Sequence, residues 1–390
     1  MLGCRAASRD LNDDHCMTIT ASVGNRAPAH GEGASGGAFP LRATTTAADS
    51  PRDARAVGKI ALLGPIAWRT PPKHYGPWEQ VTGLLADGLV RRGVDVTLFA
   101  TLDSCTAAVL DGVSARGYEE DGSLDGRVWE GLHVAHALAR SAEFELVHNH
   151  LDWLPLVFSK FCRTRLLTTI HGFSDRRILP AYQAADSAYV SISNADRAPE
   201  LDYCATVYHG IDLSRFAFSA TGGEDLVILG RIHPDKGTAE AITIADRTGR
   251  RLRIAGPIQD RTYFEERVAP LVDDDQICYL GSVGPEQRSD LLASAAALLH
   301  PIAFAEPFGL SVVEAMAAGT PVIAYQRGSM PEIIDNGVTG FLVSDTASAV
   351  TALDAAIALD RGNIRRVAER RFSADRMVDD YLAVYGALLR

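Results

Sequence analysis

Short apolar runs alternate with stretches of helical spacing along most of the chain, and the alternation starts afresh halfway. Residues 59–64 (KIALLG) fit a buried strand, and 78–91 follow with Val81, Leu84, Leu85 and Leu89 on one helical face before Gly93. Strand-like segments recur at 94–100, 145–148, 166–170, 187–193 and 205–208, with helical spacing at 128–141 and 154–161. A second series places strands at 225–229, 251–255, 276–280, 296–299 and 321–324, and helices at 238–248, 285–293 and 309–318. A strand that returns through a helix pairs in parallel, and a parallel sheet needs cover on both faces. The pattern therefore predicts an α/β chain of two doubly wound, Rossmann-like domains.

A length of 390 residues is enough for two cores of ordinary size. Residues 213–223 are polar, contain glycine and show no period, which places the hinge there. The expected division is a first domain at 58–212, a second at 213–373 and a last helix at 374–390. That helix carries Met377, Val378, Tyr381, Leu382, Val384, Tyr385 and Leu388, a face that needs a partner. Residues 1–57 are rich in Ala, Gly, Ser, Thr and Arg and lack the apolar core of a secretory signal. Asp10, Asp13, Asp14 and Glu32 tell against a transit peptide, so a disordered tail without chemistry is expected. The net charge of −11 argues against a general nucleic-acid binder. Six cysteines without a CxxC fit reduced thiols in a cytoplasmic protein, and no apolar run reaches the length of a membrane span.

Residues 300–343 concentrate the chemistry. Glu306 lies in the loop entering the helix at 309–318, and Glu314 falls about two turns inside it. The start of a helix offers unpaired amides and a partial positive charge, so those of Phe308, Gly309, Leu310 and Ser311 suit a phosphate. Carboxylates would repel that phosphate, so their partners are hydroxyls: sugar hydroxyls at Glu306 and a ribose diol at Glu314. A nucleotide-sugar has both. Gly230-Arg231-Ile232-His233-Pro234-Asp235-Lys236-Gly237 also links a strand to a helix. A guanidinium fork and an ammonium there could neutralise a departing diphosphate. Asp273-Asp274-Asp275 comes nearest to the carboxylate device that holds Mg²⁺ on such donors, but it reads as a solvated loop.

The segments Glu306, Phe308-Gly309-Leu310, Glu314-Ala315-Met316, Gly319-Thr320-Pro321, Pro331-Glu332 and Gly340-Phe341-Leu342 resemble the signature of the retaining family-4 glycosyltransferases. The resemblance covers residues 59–390 and is densest in the second half. It implies the GT-B fold, two facing Rossmann-like domains with a C-terminal helix crossing back to the first. It also implies transfer of a hexose from a nucleotide-diphosphate sugar to a hydroxyl acceptor, with retention of configuration. No metal or other cofactor is implied. The acceptor is a small molecule, a glycan or a lipid-linked molecule, and nucleic acid has no place in the reaction. The implied catalytic residues are His171, Arg231, Lys236 and Glu306. Donor binding falls to Gly76, Gly230, Phe308, Gly309, Leu310, Ser311 and Glu314. Gly281 to Gly284 is where backbone groups would read the base.

Two segments depart from the family. Pro71-Pro72-Lys73-His74-Tyr75-Gly76-Pro77-Trp78-Glu79 resembles a PPxxYGGxE loop, with Pro77 where the second glycine is usual. Proline removes an amide and puts acceptor contacts at Pro77 and Glu79 in doubt. Gly328-Ser329 stands where a glycine pair is usual, a milder change because Ser keeps the amide. His171, in Thr169-Ile170-His171-Gly172-Phe173, reads either as a packed strand-end histidine or as a residue orienting the sugar. His148-Asn149-His150 lacks a third metal ligand and reads as a structural or acceptor-cleft feature. The arginines at 361, 365, 366, 370 and 371 read as a solvated face, although peripheral membrane association would fit a lipid-linked acceptor. A nucleotide-sugar 2-epimerase, a GT-B phosphorylase and a non-enzymatic nucleotide-sugar-binding protein are the alternatives.

Overall fold

The computed structural model describes residues 58–73, 75–172 and 176–390, so the tail expected at 1–57 lies outside the described residues. The first sheet contains β1 (Ile60–Leu63), β2 (Val96–Phe99), β3 (Val109–Asp111), β4 (Leu146–Asn149), β5 (Arg165–Ile170), β6 (Ala188–Ser191) and β7 (Ala205–Thr206). Its strands lie in the order β3-β2-β1-β4-β5-β6-β7, all parallel. The second contains β8 (Leu226–Leu229), β9 (Leu252–Ala255), β10 (Ile277–Tyr279), β11 (Ala297–His300), β12 (Val322–Tyr325) and β13 (Gly340–Val343). Its order is β10-β9-β8-β11-β12-β13, again parallel. β1, β2, β4, β11 and β12 are buried at every position, and apart from the polar end of β4 they are mainly apolar.

Helices cover the sheets. The first lobe has α1 (Pro77–Arg91), α2 (Gly126–Ala139), α3 (Leu154–Val157) and α4 (Leu179–Ala184). The second has α5 (Thr238–Thr248), α6 (Arg261–Tyr263), α7 (Pro285–Ala293), α8 (Leu310–Ala317), α9 (Met330–Ile333), α10 (Thr346–Ile357) and α11 (Arg361–Phe372). α12 (Ala374–Leu388) ends the chain. Local chemistry sets several starts: Asp125 caps α2, Asp345 and Ser348 form a capping box on α10, and Ser373 caps α12. Among the described residues no helix is long and apolar enough to cross a membrane.

Three local expectations change. β3 is an edge strand with Val109 exposed, so it leaves no apolar run to detect. β13 pairs with β12 through Gly340–Val343, a segment that opens on a glycine directly after a turn and so does not read as a strand. The helix expected at 154–161 is a single α turn followed by a 3-10 turn at Ser159–Phe161.

The strand order places the cleft. In each sheet the order reverses direction at one point, between β1 and β4 and again between β8 and β11. Loops leaving the carboxyl ends there part to opposite faces and open a crevice. The loops after β8 and β11 carry Lys236 and Glu306, so residues 70 positions apart meet at the second sheet's crevice.

The chain passes between lobes at residues 211 and 373, and the two passages pair with each other. Ile211 N donates to the Phe372 carbonyl at 2.9 Å, and Ala374 N donates to the Ile211 carbonyl at 2.9 Å. The polar stretch after 211 is fixed to the second lobe: Arg365 donates to the carbonyls of Leu213, Phe216 and Ala317. α12 then returns to the first lobe, with Met377, Val378, Tyr381 and Tyr385 buried against Leu85 and Leu89 of α1. Each such side chain contributes about 1.5–3 kcal/mol. Glu332, from the Pro331-Glu332 segment, also binds the first lobe. Its carboxylate accepts from Asn194 N (2.9 Å), Asn194 Nδ2 (3.0 Å), Ala195 N (2.6 Å) and the Tyr208 hydroxyl (2.9 Å).

A Cβ on Gly88 of α1 would stand 2.4 Å from Val378 Cγ2 on α12. Gly88→Val is therefore expected to lower stability by about 1–3 kcal/mol through overpacking. Urea unfolding measures it; unchanged stability would mean that α1 and α12 are not in this contact.

Candidate functional site

A cleft of 480 Å³ lies between the lobes. The first lobe lines it with Tyr75, Gly76, Trp78, His171 and His209. The second contributes Gly230, Arg231, Lys236, Arg288, Glu306, Phe308, Gly309, Leu310, Ser311 and Glu314. All eleven residues expected at the site thus line one cavity of ligand size.

Lys236 ends a 3-10 turn, Pro234–Lys236, and its Nζ lies 2.6 Å from Glu306 Oε2. Both side chains are largely buried. Burial would raise the Glu306 carboxyl, but His300 and Lys236 outweigh it and hold it down at about 2. His300 Nε2 stands 3.6 Å from the same oxygen. The Glu306 backbone is fixed as well. Ser329 N donates to its carbonyl at 2.9 Å, and the Ser329 hydroxyl bonds the Phe308 carbonyl at 2.9 Å. Ser329 thus keeps the amide of the usual glycine and adds a second bond. Gly328 must remain glycine, since its φ is 55° and a Cβ would lie 2.3 Å from the Glu306 carbonyl.

α8 begins at Leu310, not at Gly309, so Glu314 lies in its second turn rather than two turns in. Gly309 is the N-cap in the left-handed region at φ 91°, where a Cβ would meet Met330 Cε at 2.6 Å. The first amides of α8 have no carbonyl a turn earlier to bond. Glu314 Oε1 accepts from Arg288 Nη1 at 3.1 Å. Burial raises its carboxyl, with Arg288 and Arg215 pulling the other way. Arg231, after β8, donates Nη1 to Gln259. Tyr75 faces it across the cleft: burial raises the phenol, which Arg231 counteracts and Glu306 reinforces.

His171 has both ring nitrogens committed. Nε2 pairs with His150 Nδ1 at 3.0 Å and Nδ1 with His209 Nε2 at 3.3 Å, while Trp78 stacks on the ring at 5.2 Å. The series continues from His150 Nε2 to His148 Nδ1 (3.3 Å), which also meets the Tyr385 hydroxyl at 2.7 Å. Burial keeps these imidazoles neutral, pushing His171 down to about 3 and the other three well below their usual value. A neutral imidazole has one N–H, so each bond in the series fixes the direction of the next. The series ends at His209 Nδ1, which has no hydrogen-bond partner among the described residues. A bare lone pair costs less there than a stranded N–H. That direction makes His209 the donor to His171, and His171 the donor to His150. His148 and His150 are therefore hydrogen-bonding supports, and among the described residues no metal-ligating cluster occurs.

Pro77 is the first residue of α1, where a missing N–H is no loss, and Gln80 N bonds the Gly76 carbonyl at 2.9 Å. Glu79 turns away from the cleft, buried, and accepts from Trp68 N at 3.2 Å. It braces the loop. Arg288, His300 and His209 escaped the reading of the sequence because each owes its importance to a partner brought from another element. Asp196 is a different case: burial alone raises its carboxyl to about 7, and Oδ2 lacks a hydrogen-bond partner among the described residues.

Two substitutions test this electrostatic picture. In the wild type, Glu306 is depressed, so its stabilisation is present above the ordinary carboxylate range and is lost as pH falls towards 2. Lys236→Met leaves that buried carboxylate uncompensated, so a loss of about 3–5 kcal/mol is expected at pH 7. The deficit should shrink as pH falls and Glu306 protonates, which denaturant titrations at several pH values would measure. Glu79 is the opposite case. Burial raises it to about 7, so its contribution to stability falls as pH rises from the ordinary carboxylate range through 7. Glu79→Gln should match the wild type near pH 5 and exceed it by about 2–3 kcal/mol near pH 8. A pH-independent difference would contradict the burial.

Residues 212–369 match the family described as Glycosyl transferases group 1. A D-inositol 3-phosphate glycosyltransferase of Streptomyces scabiei is 29% identical over 359 residues, spanning 73% of this chain and 79% of that protein. The structure of AviGT4, a glycosyltransferase involved in avilamycin A biosynthesis, superposes with a TM-score of 0.66 at 26% identity. It covers 85% of this chain and 98% of its own. Anabaena HepE, in complex with UDP and glucose, superposes at 0.64 with 19% identity, covering 85% and 100%. The likeness to HepE speaks for the fold alone. The family match coincides with the second lobe, and the two lobes together have the GT-B fold.

Proposed function

We propose that the chain moves a hexose from a nucleotide-diphosphate sugar to a hydroxyl acceptor with retention of configuration, as a family-4 enzyme that needs no metal. The observation that carries this reading is the Lys236–Glu306 pair at the crevice of the second sheet, with Arg231 beside it and the amide end of α8 facing the same cavity. Without donor, ammonium and carboxylate satisfy each other. A diphosphate competes for Lys236 and Arg231, and frees Glu306 to accept hydrogen bonds from sugar hydroxyls. The amides of Phe308, Gly309, Leu310 and Ser311 hold phosphate, and Glu314, kept in place by Arg288, takes the ribose. Gly230 and Gly76 allow backbone close to the donor from the two sides.

As the diphosphate leaves, charge grows on its oxygens. Two fixed cations in a partly dry cleft stabilise that charge better than water does. Lys236 is already oriented, lying 4.6 Å from the centre of the Phe304 ring. His171 shapes the sugar's side of the cleft. Both its nitrogens are held by His150 and His209, and taking a hydroxyl partner would strand one of those buried rings, so it acts through the shape and polarity of the wall. Retention follows from attack on the face the leaving group departs from, since a double displacement needs a carboxylate on the far face. Glu79, turned towards Trp68, does not offer one. The reaction belongs in the cytoplasm, where nucleotide-sugars serve as donors.

A thermal-shift screen of UDP, GDP and their sugars identifies the donor, because a ligand at about 100 times its Kd adds roughly 2.7 kcal/mol. Transfer measured with that donor is expected to persist in EDTA and to give an α-linked product from an α-linked donor. Arg231→Ala should cost about 10²–10³ in kcat, as loss of one charge-stabilising donor does, with the fold intact. Glu306→Gln should abolish transfer. Activity lost in EDTA and restored by manganese, or an inverted product, would overturn the proposal.

A further inference from the structure

Lys236 is not the only group beside Glu306. β11 ends on His300, which is 4% exposed, and its Nε2 has no hydrogen-bond partner among the described residues. Buried polar nitrogens are normally paired, so one left open next to a binding cleft calls for a reason. Nε2 stands 3.6 Å from Glu306 Oε2, the oxygen that also takes Lys236 Nζ at 2.6 Å. A bare lone pair aimed at a carboxylate is repelled, so the proton of a neutral ring belongs on Nε2, where it is a donor.

The backbone around this group is fixed. Ala303 N donates to the Asp235 carbonyl at 2.7 Å, and a Cβ on Gly237 would lie 2.1 Å from the Pro301 carbonyl. The turn carrying Lys236 is thus pressed against the residues that follow His300. Ser329 holds the Glu306 carbonyl in turn. The Glu306 side chain is then the part left to shift between ammonium and imidazole. A movement of about half an ångström brings Oε2 to hydrogen-bond length from Nε2.

Charge makes that shift necessary. Without ligand, one ammonium offsets one largely buried carboxylate. A diphosphate brings further negative charge to Lys236 and Arg231, so the ammonium is shared or withdrawn and Glu306 is left short of a partner. A buried carboxylate that loses its cation is costly. Sugar hydroxyls offset part of that cost, but only while the intact donor is present, and not with the nucleoside diphosphate left after transfer. Resting on the reading of the cleft as a nucleotide-sugar site, we propose that His300 is a positioning residue. Its Nε2–H takes hold of Glu306 when a diphosphate engages Lys236, and keeps the carboxylate in place for the sugar hydroxyls.

UDP and GDP, without sugar, test this by thermal shift and calorimetry on the full chain. His300→Leu removes the donor and keeps most of the bulk. Because Nε2 is unpaired in the free protein, the unliganded Tm should stay close to that of the wild type. Affinity for whichever diphosphate stabilises the wild type should fall about tenfold, the worth of one hydrogen bond to a charged group. His300→Gln, whose amide nitrogen reaches the place of Nε2, should restore it. Should the leucine variant fail to fold, wild-type crystals soaked in the same diphosphate decide, with Nε2 expected within about 3.2 Å of Glu306. Equal affinity in all three proteins, or a bound structure with Nε2 still unpaired, overturns the proposal and leaves the donor site standing. A wild type that neither UDP nor GDP stabilises overturns both.

Discussion

The two passages between lobes lie side by side, hydrogen-bonded through Ile211, Phe372 and Ala374, and the geometry of the cleft depends on that pairing. A single flexible link would leave the sheets free to face any direction. Two paired links, followed by a helix whose Tyr381 and Tyr385 are buried in the other lobe, leave few. The carboxyl ends of both sheets then face one cavity, and Glu332 adds a polar clamp between the lobes beside Tyr208.

α12 also acts on the site through its tyrosines. The Tyr385 hydroxyl meets His148 at 2.7 Å, and the Tyr381 hydroxyl meets Thr169 at 2.8 Å, two residues before His171. A chain of neutral imidazoles runs from there to the wall of the cleft. Such a network holds its arrangement because each bond along it sets the direction of the next. The second lobe is organised differently, through charge. Lys236–Glu306 and Arg288–Glu314 are both largely buried, and in each a cation offsets the burial of a carboxylate. One wall of the cleft is therefore polar but neutral, and the other is ionic. That division suits a ligand with a sugar at one end and a diphosphate at the other.

Most strands legible in the sequence were largely buried, because burial leaves a mainly apolar run. β3, exposed at an edge, and β13, which opens on a glycine, gave no such run. Lys236 and Glu306 could each be read from a local motif, since a loop between strand and helix marks a binding position. Their 2.6 Å contact could not, because it depends on β8 lying beside β11. Glu79 shows the reverse limit. Its motif suggested the acceptor, whereas the fold turns it towards a backbone amide of Trp68.

By itself the sequence determined what periodicity and local chemistry encode: two parallel α/β lobes, a final helix in need of a partner, and loops equipped for phosphate and hydroxyls. The tertiary structure decided which groups meet. It brought Arg288 to Glu314, joined four histidines in one series, and set His300 beside Glu306. Spacing along a chain fixes which side of an element a residue occupies. What stands on that side depends on strand order and helix packing, which are settled only when the whole core assembles.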